Sequence, residues 1–181
     1  EEMARCVYLS KQYNLFLSAY DAVRMDEHFG DDFLKCADRS ANGRALNILG
    51  IDTSLAFFEK ALSEVELVIM IGRDDNHEIA KKLHEQTSVI VSAYDVGACE
   101  AIELVLPMAS HLSRAGSFIN KDGYVQHSAC AIALVPEHEP LLMILASLLG
   151  DTVFTCKEVW ETLLHQESAF KDITFDTLHL T

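Results

Sequence analysis

Three short apolar runs, ELVIMIG at 66–72, SVIVSAY at 88–94 and LVL at 104–106, are separated by segments of helical periodicity. Runs of this length without polar alternation fit strands buried on both faces, and strands that alternate with helices are joined by crossover connections. The expectation is an α/β fold: a parallel sheet with helices on both faces, built from right-handed βαβ units. The first run ends on Gly72 and the third on Pro107, which removes a ladder donor and is expected to stop the pairing there.

Around this centre the pattern predicts helices over 3–13, 54–65 (with Ser54 as N-cap), 76–86 and 97–102, and a strand over 14–19. Beyond the third run, Asn120 to Gly123 reads as a tight turn between extended arms at 117–120 and 124–134. Gly116 and Gly123 mark positions where the backbone takes positive φ or approaches another group closely, so valine at either is expected to harm folding. Two packing helices close the chain, an apolar one over 140–149 stopped by Gly150 and one over 156–167. In the second, Val159, Trp160, Leu163 and Leu164 share a face. No linker, repeat or low-complexity stretch divides the chain, and one α/β domain over 1–181 is the economical reading.

Composition narrows the function classes. Half of the 181 residues are hydrophobic, enough for a sizeable core, while the longest strongly apolar stretch, 141–149, falls far short of the ~20 residues that span a membrane. A net charge of -14, spread without a basic stripe, argues against nucleic acid and for a solvated surface, with a basic partner left open. The charged opening Glu-Glu-Met-Ala-Arg has no apolar leader core after it, and a start at Glu1 suggests a fragment of a larger chain. Cys6, Cys36, Cys99, Cys130 and Cys156 never form a C-x-x-C pair, so a local iron–sulfur or zinc site is not expected, and buried thiols of a reducing compartment are. His77 and His84 read as an exposed helical pair. Asp74, Asp75 and His77 form the polar cluster best placed for a ligand beyond a carboxyl strand end; Asp74 and Asp75 equally suit a helix cap and first turn, which is the expectation taken here.

The segment 104–126, LVLPMASHLSRAGSFINKDGYVQ, also resembles the signature of the molybdopterin oxidoreductase superfamily. That signature runs acidic-Val-Val-Leu-Pro, then Glu-x-x-Gly-Thr-x-x-Asn-x-Glu-Gly-Arg-x-Gln, and Pro107, Gly116, Asn120, Gly123 and Gln126 fall in register with it. Upstream, the stretch from Asn42 to Gly50 loosely resembles the family's Asn-x-x-Gly-Ala-x-x-x-Gly, and Gly72 to Asp75 stands at its strand-ending Gly-x-Asp-Pro turn. The resemblance implies a Rossmann-like domain of the formate dehydrogenase kind, with Gly72 joining the signature positions as family structural residues.

Catalytic members of that superfamily hold a molybdenum or tungsten bis-pterin dinucleotide; the large iron–sulfur subunit of respiratory NADH:quinone oxidoreductase, complex I, keeps the fold as a scaffold without it. Departures here favour the second branch. Val96 to Cys99 replaces Thr-x-Thr-Ala, Glu103 replaces Asp, Ser113 replaces Glu and Tyr124 replaces Arg. The implied role is a non-catalytic C-terminal domain that carries no cofactor itself, the iron–sulfur clusters lying elsewhere in the parent chain. Its implied partners are the cluster-bearing domains of its own chain and other peripheral-arm subunits, on the cytoplasmic side of the membrane. In the catalytic alternative, Asp74, Asn120 and Gln126 would contribute to binding a molybdopterin dinucleotide.

Overall fold

A computed structural model describes residues 1–19, 42–72, 80–83, 87–95, 100–120, 122–133, 138–150, 152 and 155–173. Cys36, Asp74, Asp75, His77, His84 and Cys99 lie outside the described residues. The fold is α/β: a three-stranded parallel sheet flanked by helices, with a separate antiparallel hairpin.

Strands β1 (Leu67–Ile71), β2 (Thr87–Ser92) and β3 (Leu104–Pro107) lie in chain order, with Met70 beside Ile90 and Ile90 beside Val105. Successive side chains alternate between the faces of a strand, and each face here acquires its own helices. Val68, Met70 and Ile90 pack with Leu83 and with Phe58 and Leu62 of helix α3 (Leu55–Leu62). On the opposite face, Ile69, Val91 and Leu106 pack with Leu9 of α1 (Glu2–Tyr13) and with Leu141, Ile144 and Leu145 of α4 (Leu141–Leu149). Helices on both faces are therefore present, as the apolar runs require.

Local chemistry sets the helix ends. The Ser54 hydroxyl accepts from Phe57 N–H at the start of α3, and Gly150 takes φ 62° to close α4, a conformation that costs glycine nothing. Helix α5 (Cys156–Thr162) opens with a full capping box between Thr155 and Glu158 and continues as a single 3₁₀ turn, Leu164–Gln166, so the expected helix over 156–167 tightens near its end.

Several expectations need correction. The strand over 14–19 is reduced to one bridge between Ser18 and Asp52, because Asn14 turns left-handed (φ 53°) directly after α1. Of the helix over 76–86, the described part is a 3₁₀ turn, Ala80–Lys82, followed by the buried Leu83. Within 97–102, the described residues Glu100 and Ala101 form a turn.

The two outer runs are not buried on both faces: Leu67 and Ile71 of β1 are 53% and 41% exposed and Leu104 and Val105 of β3 are 47% and 45% exposed, both strands lying at the margins of the sheet beside β2. Pro107 is the last residue of β3, as expected, although the pairing does not end there for want of a donor. It registers with Ser92, and Met108 N–H still donates to the Ser92 carbonyl at 2.8 Å; proline is tolerated on such a marginal strand. The chain at Glu139 then bridges to Met108 in parallel sense.

Candidate functional site

Strands β4 (Gly116–Ile119) and β5 (Val125–Ser128) form the hairpin that carries most of the sequence-predicted site residues. The arm expected to reach residue 134 ends at Ser128, and Ala131 and Ile132 N–H groups turn back onto the Leu112 carbonyl. Strand alternation sends Ile119 and Val125 into the core with Trp160 and Leu164, while Phe118 and its partner Gln126 take the outer face. Gln126 is exposed.

The turn is held by its own asparagine. Gly123 N–H donates to the Asn120 carbonyl at 3.0 Å, and the Asn120 side-chain oxygen accepts from Asp122 N–H (3.0 Å) and Tyr124 N–H (2.9 Å). Gly123 has φ 93°, and a Cβ there would lie 3.3 Å from the Arg44 guanidinium. Arg44 belongs to α2 (Gly43–Ile48), and the residue before that helix, Asn42, accepts from Ile119 N–H at 2.8 Å on β4. The loosely matched stretch and the hairpin are thus brought together.

Gly116 departs from expectation. It is an ordinary strand residue, and a Cβ on it would find its nearest neighbour at 3.8 Å. The two glycines therefore separate in a testable way. Gly123→Val should destabilise the fold by about 2 kcal/mol through forced positive φ and crowding against Arg44. Gly116→Ala should be neutral or stabilising by about 0.5 kcal/mol, since glycine in a strand carries an entropic penalty. Urea melts that rank the two variants the other way would refute this assignment.

Gly72 and Pro107 sit at the carboxyl ends of β1 and β3, in the other sheet. Gly72 has φ 122° and donates its N–H to the Val91 carbonyl at 2.9 Å, so its glycine character serves the strand exit.

Beneath the hairpin lies a cleft of about 270 Å³ that sequence reasoning missed. Its floor is Ala45, Ile119, Trp160, Leu164 and Phe170, all buried; Glu2, Phe118, Arg114 and Cys156 are more exposed and form its mouth. Glu1 anchors the start of α1 across it, one carboxylate oxygen accepting from the Trp160 indole N–H at 2.7 Å and the other from Ser117 N–H at 3.0 Å. Glu2 forms an ion pair with Arg114. Burial pushes the Glu2 carboxyl above the usual carboxylate range, against the lowering pull of Arg114. The Cys156 thiol is likewise raised, first by burial and then by the charge of Glu1, which favours the protonated, poorly nucleophilic form. The pairing of Trp160 with Glu1 spans 159 positions and has no local signal.

The thiols divide by environment. Cys6, packed among the residues of the α1–α4 face, has its pKa pushed up to about 12 by burial and then by Glu2, whereas Cys130 is exposed, contrary to the expectation of buried thiols. Alkylation at pH 8, followed by peptide mass spectrometry, should find Cys6 slower than Cys130 by roughly two to three orders of magnitude. Equal rates would show that the α1–α4 face opens readily.

Among the described residues, no group of three or more His, Cys, Asp or Glu is placed to share a metal ion, and no helix is long and apolar enough to cross a membrane. The described residues form an α/β fold in which Asn120 and Gly123 shape the chain's own hairpin turn. No protein-family model and no curated protein matches the chain.

Proposed function

We propose that this chain is part of the large peripheral-arm subunit of an NADH:quinone oxidoreductase and serves there as a non-catalytic scaffold domain. It would pack against the cluster-bearing domains of its own chain and neighbouring subunits on the cytoplasmic side of the membrane, with electrons passing elsewhere. The observation that carries this reading is the use of the signature residues. Asn120 closes its own turn with its side-chain oxygen, Gly123 makes room over Arg44, and Asn42 completes the flank of β4.

The catalytic alternative would draw on Asp74, which lies outside the described residues, together with Asn120 and Gln126. The phosphates of a pterin dinucleotide call for convergent donors or a glycine-rich approach to backbone amides. The Asn120 carboxamide oxygen is already engaged by two backbone N–H groups, and Gln126 stands exposed on the outer hairpin face.

The deciding experiment is metal analysis by plasma mass spectrometry with a pterin fluorescence assay, on the parent complex purified from its own host. Iron without molybdenum, tungsten or pterin, in a particle that oxidises NADH, is the expected result. Stoichiometric molybdenum or tungsten with pterin would replace the scaffold reading with a catalytic one, and a particle without iron would remove both.

A further inference from the structure

We propose that the cleft beneath the hairpin is a binding site for a small, uncharged and mainly apolar molecule of about the size of a single substituted ring. The proposal goes beyond the scaffold role and does not depend on it. The cleft of about 270 Å³ is open to solvent at its mouth and is floored by three nearly fully buried side chains, Trp160, Leu164 and Phe170. Apolar cavities of even about 150 Å³ are known to admit benzene.

The chemistry of the walls selects the ligand. The carboxylates, the Asn42 oxygen and the thiol at the cleft are engaged within the protein. Glu1 accepts from Trp160 and Ser117, Glu2 pairs with Arg114, the Asn42 oxygen accepts from Ile119 N–H, and the Cys156 thiol points to the Ala115 carbonyl. A charged ligand would lose much of its hydration over this apolar floor, whereas an apolar one needs only the contact surface of the rings and aliphatic chains. Trp160 and Phe170 meet edge to face at 5.6 Å, presenting a rigid aromatic corner against which a further ring can pack. The more exposed mouth at Phe118 and Cys156 provides entry without opening the core.

The chain contains one tryptophan, Trp160, so its emission reports on the cleft floor directly. The test titrates 4-fluorotoluene, 4-fluorobenzylammonium and 4-fluorobenzoate into the full chain, read by Trp160 emission and by the ¹⁹F line of the probe. Expected is saturable one-to-one binding of 4-fluorotoluene, at least tenfold tighter than either charged analogue. Ala45→Leu, which fills the floor, should weaken it at least tenfold while far-UV circular dichroism stays native. If that variant does not fold, Cys156→Leu, which narrows the mouth, should produce the same loss. Absence of saturation in the wild-type chain, a charged analogue that binds as tightly, or full binding in a folded variant with the cleft filled would each overturn the proposal.

Discussion

Trp160→Ala is expected to lower the unfolding free energy by about 3–5 kcal/mol, a third or more of the stability of an ordinary domain. Trp160 is only 3% exposed, with Val159 fully buried beside it, on a helix whose start is held by the Thr155–Glu158 capping box. The indole meets the Phe170 ring and joins Ala4, Ile119, Leu142 and Leu164 in one cluster, so it links α1, the hairpin, α4 and the C-terminal turn. Its loss also merges the vacated volume with the neighbouring cleft, and a void bordered by an existing space cannot close by small shifts. Trp160→Phe isolates the indole N–H. That variant keeps the aromatic contact and forfeits the hydrogen bond to Glu1, for a cost of about 1 kcal/mol where water replaces the donor at a part-exposed carboxylate. Because either change removes the only tryptophan, the urea transition should be followed by far-UV circular dichroism. A Trp160→Ala transition within 1 kcal/mol of wild type would mean that the cluster does not hold the hairpin to the helices.

The sheet was legible because its evidence is local. Apolar runs at 66–72, 88–94 and 104–106 became β1, β2 and β3, and Ser54 and Gly150 bounded their helices by chemistry confined to one or two turns. What the runs could not convey is position within the sheet. An apolar strand reads alike whether it is central or marginal, yet β2 is buried along nearly its whole length while β3 is half-exposed. The arm beyond Ser128 and the segment 14–19 failed for a related reason: extended sequence becomes a strand only where a neighbouring strand offers its hydrogen bonds, and Asn14 turns the chain away.

The candidate site divides along the same line. Asn120 and Gly123 were readable as a turn because an asparagine that bonds its own backbone and a glycine at positive φ are sequence-local devices. Gly116 looked equivalent in the string and is not, since its backbone angle depends on pairing with Ser128 in β5. The Asn42 bond to Ile119 joins residues 77 positions apart, and the cleft is assembled from the chain start, the hairpin and α5. No spacing rule anticipates such contacts, because they join segments far apart in the chain.

Ile90→Ala should be the most damaging single truncation in the parallel sheet, at about 2–5 kcal/mol, with Ile90→Val at about 0.5–1.5 kcal/mol. Ile90 is 1% exposed at the middle of the central strand, registered with Met70 on one side and Val105 on the other. Its side chain is enclosed by Phe58 and Leu62 from α3 together with Leu83, while the next residue, Val91, is fully buried on the α1–α4 face. Neighbours gripped from both faces cannot move inward to fill a lost side chain, which places the site near the costly end of the range. Leu104→Ala supplies the control: the same kind of truncation on β3, where the side chain is already 47% exposed, should cost about 1 kcal/mol. Urea unfolding should show the two midpoints well apart with similar slopes, since the surface exposed on unfolding is nearly the same. Equal costs at Ile90 and Leu104 would mean that β2 is not the central strand, and the three-strand order would have to be redrawn.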